Sequence, residues 1–181
     1  VTVSYALDFW LWRDDPAGYH LTNIVAHILC CFGLLALAKH MRLSVGVATA
    51  ITLLFAVHPL HTESVTWISG RTDVLATLFV LPYLLWFDHD SRLRRVLGYV
   101  GFTAAIFSKE VTLAAPGVAF MLASVRTDTA LWTRVKQVLP AIPILGGYPA
   151  IRATIVPMLP SAGPPVGWAE HTVGPASLTP P

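Results

Sequence analysis

The sequence predicts an all-α protein, a polytopic membrane helix bundle of about six transmembrane helices, and three observations predict it. Only 12% of the 181 residues are charged while 55% are hydrophobic, and mean hydropathy is +0.63, whereas a soluble domain is about one-quarter charged. The charges are also grouped: residues 16–38, 43–62, 74–87, 96–108, 111–125 and 137–151 contain no Asp, Glu, Lys or Arg. Finally, the basic residues sort to alternate loops, as they do in a chain that weaves through a bilayer. The same composition excludes a disordered chain, which needs low hydrophobicity and high charge. A net charge of +2 is too small to draw nucleic acid. The expected first partner is the lipid bilayer.

Taken in order, residues 1–15, VTVSYALDFWLWRDD, are aromatic and amphipathic, which suits an interfacial segment, here 1–18, on the membrane surface. Membrane helices are expected at about 19–38, 43–60, 66–87, 94–109, 110–126 and 137–156. The first two charge-free runs match the roughly 20 residues a span needs; the rest are shorter and rely on ionisable residues in their last turns. Residues 1–156 then form a partial transmembrane domain. The stretch 157–181, with seven prolines and three glycines, cannot continue a helix and reads as an external loop. Cys30 and Cys31 are adjacent, so on a helix they point about 100° apart, and a disulfide between them is not expected. No internal repeat is evident.

Lys39, Arg42, Arg92, Arg94, Arg95, Arg126, Arg134 and Lys136 occupy the loops after the first, third and fifth helices. The positive-inside rule puts those loops in the cytoplasm. Residues 1–18, the 58–73 turn, the 109–110 turn and the C-terminal stretch then lie outside, which leads us to expect a further crossing upstream of Val1. No signal-peptide pattern opens the chain.

Four polar groups interrupt the apolar pattern. His20, Asn23 and His27 share one helix face by their steps of three and four. They read either as helix–helix hydrogen bonding or as the wall of a headgroup groove. In HPLHTESVTWISGRTD, Pro59 breaks the second helix and brings His58, His61, Glu63, Arg71 and Asp73 into one short external turn. An ionised side chain at mid-bilayer costs on the order of 2.5–3.5 kcal/mol, so five ionisable groups there suggest a hydrated site. A solvated loop with a Glu63–Arg71 or Arg71–Asp73 ion pair is the plainer reading. No resident metal or cofactor is expected; a divalent ion stays open, because His and carboxylate ligands suit one although the spacing is no standard zinc signature. Ser108-Lys109-Glu110 sits between two short apolar runs. It is either a self-neutralising pair or a point charge for a phosphate. Tyr148 and Arg152, four residues apart, could line the same vestibule, or Arg152 could snorkel to the interface. All four groups lie on one predicted side, which suggests a lipid-phosphate substrate handled from outside.

The strings PAGYHLTNIVAH, FAVHPLHTESVTWISGRTDVLATLF and FSKE, in that order and spacing, resemble the membrane part of the transmembrane and tetratricopeptide-repeat proteins. That family is related to protein O-mannosyltransferases in the GT-C class of polytopic glycosyltransferases. The resemblance covers about residues 1–155, and it implies a GT-C-like bundle. It further implies transfer of a sugar, expected to be mannose, from a polyprenyl or dolichyl phosphate donor to a protein hydroxyl on the lumenal or periplasmic face, in a bacterial inner membrane or the endoplasmic reticulum membrane. By motif, His58, His61, Glu63, Arg71 and Asp73 would belong to the active-site face, and Lys109 and Glu110 to its lipid-phosphate side. The main catalytic acid of such enzymes lies in the first external loop, expected upstream of Val1, and Asp14-Asp15 is not read as that pair. Within this chain the expected catalytic residues are Glu63 and Asp73, for acceptor positioning or metal contact, with Arg71 and Lys109 for the phosphate. The alternative is a non-catalytic membrane scaffold or transporter subunit.

Overall fold

A computed structural model describes residues 1–126 and 130–155. The chain divides into two units, Val1–Gly146 and Gly147–Pro181. The expected external loop 157–181, Glu170 included, lies outside the described residues. Among those residues the regular elements are helical: α1 (Thr2–Trp12), α2 (Pro16–His40), α3 (Val45–Val57), α4 (Leu60–Thr66), α5 (Arg71–Trp86), α6 (Arg92–Ser108), α7 (Ala115–Arg126), α8 (Leu131–Val138) and α9 (Ile142–Ile155), with short 3-10 turns at Ile68–Gly70, Glu110–Ala114 and Leu139–Ala141.

Local chemistry sets the boundaries. Arg13, at φ 54°, ends α1. Asp15 then caps α2 by accepting a hydrogen bond from the Ala17 amide at 3.0 Å, with Pro16 at the first helical position, where its missing N–H costs nothing. Gly18 makes the corner possible: a Cβ there would lie 2.2 Å from Trp12 Cγ. Helix α3 stops one residue before the His58-Pro59 pair because proline can neither donate to the preceding turn nor tolerate a helical residue before it.

Helix α2 buries Asn23, Ala26 and Cys30, spaced three and four apart, and exposes Leu21, Ile24, Val25, Ile28, Leu29 and Phe32. That outward stripe is far too apolar for water and is the surface a lipid-facing helix presents. The inward stripe packs on Val74 and Leu81 of α5. Helices α5 and α6 run antiparallel in close contact around buried Tyr83, Phe87, Phe102 and Ile106, with the Tyr83 and Phe102 rings stacked at 4.7 Å. A Cβ at Gly101 would lie 2.7 Å from the Phe79 carbonyl oxygen, so α6 can approach only through glycine.

The expectation of about six membrane spans is met in part. Each expected stretch is helical, but by length and composition two helices among the described residues can cross a bilayer, Pro16–His40 and Ile68–Trp86. A third span exists if α3 and α4, bent by 60° at the break, are counted as one. Breaks in the helices account for part of the shortfall. Pro59 splits the second stretch, the 3-10 turn Glu110–Ala114 consumes the start of the fifth, and the 3-10 turn at Leu139–Ala141, with Pro140, does the same to the sixth.

Candidate functional site

One end of the α5–α6 hairpin gathers most of the polar residues singled out from sequence, in three sets. The first is buried. Arg71 opens α5 and is 1% exposed; its Nε donates to Asn23 Oδ1 at 2.6 Å and its Nη2 to the Tyr19 carbonyl at 3.0 Å. Nη1 forms an ion pair with Asp8, and the Tyr5 ring lies 4.7 Å from the guanidinium. Asn23 in turn donates to the Trp67 carbonyl at 3.2 Å, and Asp8 accepts from Thr22 Oγ1 at 2.9 Å. The Arg71 charge is therefore neutralised by α1 rather than by Glu63 or Asp73. This network ties α1, α2, the 67–70 turn and α5 together.

The second set is imidazole. His27 and His61 face each other with ring centres 5.3 Å apart, and Phe55 packs against both. His58 lies 6.0 Å from His61, and its Nδ1 accepts from the Leu60 amide at 3.2 Å, which helps start α4 after the break. Among the described residues no group of three or more His, Cys, Asp or Glu is placed to hold a metal ion.

The third set is the Asp73–Lys109 ion pair, which joins the first turn of α5 to the end of α6. Both side chains are about half exposed. Lys109 escapes the α6 helix because its own backbone is extended, at φ −155° and ψ 129°.

Two cavities of about 270 Å³ meet at Asp73 and Thr77. The first runs to the histidines and is lined by His27, Phe55, His61, Ser64 and Thr77. The second holds Lys109 at a polar mouth, and its walls are Ala76, Val80, Leu84, Val111 and Val118. The wall chemistry differs: imidazole and hydroxyl groups on one side, branched aliphatic groups on the other. Asp73 is the one ionisable side chain that both share. A further cavity of about 240 Å³ opens between His27, His58, His61 and Thr62.

The remaining expected residues are more dispersed. Glu63 and Glu110 are exposed, in the first turns of α4 and of the 110–114 turn. His20 is half-buried on α2. Arg152 donates to the Tyr148 hydroxyl at 3.2 Å within the second unit. Sequence reasoning missed Asp8, Tyr5 and Tyr19 as partners of Arg71, and Ser64 and Thr77 as cavity walls. Asp8 carried a signal all the same: a single carboxylate inside an otherwise apolar, aromatic helix implies a buried partner.

Known proteins match parts of this chain. It is 36% identical over 87 residues to a protein O-mannosyl-transferase of Caenorhabditis elegans, covering 46% of this chain and 13% of that protein. It is 40% identical over 84 residues to protein O-mannosyl-transferase TMTC1 of Homo sapiens, covering 45% of this chain and 10% of the relative. It is 32% identical over 148 residues to the human TMTC2 protein, covering 78% of this chain and 18% of the relative. The chain thus spans less than a fifth of the length of each. No protein-family model matches it, and no solved structure matches it significantly.

Proposed function

From its kinship with the TMTC group of protein O-mannosyl-transferases, we propose that this chain supplies the donor and acceptor clefts of a membrane mannosyltransferase. The observation that carries the reading is the meeting of two chemically unlike cavities at Asp73, with Lys109 across from it. An aliphatic cleft with an ammonium at its mouth suits a polyprenyl chain ending in phosphate. A lysine serves there as a compact point charge. The histidine- and hydroxyl-lined cleft suits the acceptor protein's hydroxyl.

In this reading the Asp73–Lys109 pair is a resting contact. A half-exposed pair contributes at most about 1 kcal/mol, so an arriving phosphate displaces the carboxylate cheaply. Lys109 then stabilises charge on the departing phosphate as the anomeric C–O bond breaks, and the freed Asp73 carboxylate holds the acceptor hydroxyl in line and takes its proton as the hydroxyl oxygen bonds the anomeric carbon. Glu63, His58 and His61 border the acceptor side, and Glu110 flanks Lys109. Arg71 acts as a positioning residue through Asp8 and Asn23.

The proposed placement is multi-pass, with about six crossings, basic loops in the cytoplasm and the Asp73–Lys109 end on the lumenal or periplasmic face. The large apolar outer stripe of α2 supports the bilayer placement. Mannose transfer from labelled polyprenyl-phosphate mannose to a Ser/Thr peptide, catalysed by the full-length parent protein in membranes, tests the activity. No transfer under any donor or acceptor condition would defeat it.

A further inference from the structure

Helix α4 is held between two breaks in the backbone. His58 before it and Trp67 after it are extended, at ψ 129° and ψ 130°, and Pro59 removes a backbone donor at its start. None of its seven residues is buried. It nevertheless forms a wall of two cavities. Leu60, His61 and Ser64 line the one that reaches Asp73, and His61, Thr62 and Val65 line the one beside His58. A helix this short is marginal by itself, so its place against the bundle depends on a few side-chain contacts.

Those contacts centre on imidazole. His61 of α4 packs on Phe55 at 4.2 Å and faces His27 of α2 at 5.3 Å between ring centres. The Ala56 carbonyl accepts from His27 Nε2 at 3.3 Å. That bond fixes the ring and survives its protonation, because an imidazolium donates from both nitrogens. On the far side His58, 6.0 Å from His61, accepts from the Leu60 amide through Nδ1 at 3.2 Å. It therefore caps α4 only while that nitrogen is unprotonated. The other tie is Asn23, which donates to the Val65 and Trp67 carbonyls at 3.4 and 3.2 Å and does not titrate.

Among the described residues none of these three histidines is ion-paired with a carboxylate. Helix α2 presents the thiols of Cys30 and Cys31, with His20 about two turns away; α3 brings no ionisable side chain. Glu63 of α4 is exposed. On α5, Arg71 is committed to Asp8, and Asp73, which lines the same cavity, to Lys109. Two facing imidazolium ions would therefore repel without a counter-charge between them.

We propose that α4 is an acid-released lid: protonation of both His27 and His61 drives α4 off α2, and the cavity beside Asp73 loses that wall. His27 takes its charge in place, so His61, on the short helix between two breaks, is the ring that moves. The open form binds one proton more than the closed form. Closure is therefore favoured as pH rises and lost as it falls below about 6.5, where an imidazole ordinarily titrates. Naming the cavity an acceptor cleft, and expecting acid to halt sugar transfer there, rests on the proposed function; the acid response of α4 does not.

Hydrogen–deuterium exchange of the full chain in lipid nanodiscs, read by mass spectrometry and corrected for the intrinsic pH dependence of exchange, tests it. Protection of the amides of residues 60–67 is expected to fall by about 30-fold between about pH 7.5 and about pH 5, the shift for one proton bound only in the open form. Protection in α5 and α6 should stay constant. His61→Phe and His27→Phe each keep an aromatic ring and remove one facing charge, so each should reduce the fall to less than about tenfold. They alter opposite partners, so a folding defect in one leaves the other to decide. Equal wild-type protection at the two pH values, the full fall in both variants, or a simultaneous loss across α5 and α6 overturns the proposal. The readout needs no substrate. Absent sugar transfer would defeat the proposed function and leave the lid standing, whereas constant α4 protection in an active enzyme would do the reverse.

Discussion

Replacing Asp8 with asparagine keeps the shape of the side chain and removes its charge. In the wild type the Arg71 guanidinium, 1% exposed, is balanced by Asp8, which is itself 2% exposed. The Asn23 and Tyr19 oxygens still accept from Nε and Nη2 in the variant, but neither carries a charge. An uncompensated buried charge costs about 3–5 kcal/mol. For a chain of this length each kcal/mol moves the melting temperature by roughly 2–4 °C, so Asp8→Asn should lower it by about 10 °C. The assay is thermal unfolding of the purified full chain in mild detergent, followed by near-ultraviolet circular dichroism. The double variant Asp8→Asn/Arg71→Met removes both charges and should recover at least half of the loss, because an apolar replacement of a buried pair is often neutral. A shift below about 2 °C for Asp8→Asn, or a double variant that melts lower still, would refute the buried-pair reasoning.

Three further outcomes follow from packing. Gly101→Ala drives a Cβ into the Phe79 carbonyl and should destabilise by about 1–3 kcal/mol through forced backbone shifts, visible as a lower midpoint in detergent-denaturant titration. Gly117→Ala, where a Cβ meets nothing within 4 Å, should instead stabilise α7 by up to about 1 kcal/mol in the same titration; equal signs for the two glycines would count against the α5–α6 contact. Tyr83→Phe removes a hydroxyl that is buried without a hydrogen-bond partner and should be neutral or slightly stabilising, by up to about 1 kcal/mol. A clear drop in its melting temperature would expose a missing partner for that hydroxyl.

The broad plan was legible because bilayer burial writes itself into composition. Charge-free runs located the helices, and the steps of three and four from His20 to Asn23 and His27 marked one face of α2, on which Asn23 is buried. The number of spans was less legible. An apolar count cannot distinguish a straight helix from α3 and α4 bent at Pro59, or from the 3-10 turn that begins the 110–126 stretch. At the site, local sequence placed His58, His61, Arg71 and Asp73 in one turn but could not say which charge meets which. Arg71 and Asp73 are two residues apart, so they project in different directions from the start of α5. One points into the bundle toward Asp8 and the other toward Lys109, 36 residues onward. Such long-range pairings depend on how α1 and α6 dock, which no local spacing encodes.

The central claim is that Lys109 serves the donor phosphate and Asp73 the acceptor hydroxyl where the two clefts meet. Steady-state mannose transfer by the full-length parent, with donor and acceptor varied separately, tests it most directly. Lys109→Met is expected to raise KM for the lipid-phosphate donor and lower kcat by about 10²-fold or more, with acceptor KM unchanged. Asp73→Asn should lower kcat by about 10²-fold or more at saturating donor while donor KM stays near wild type. Wild-type turnover in both variants, or an identical pattern of defects in the two, would contradict the assignment.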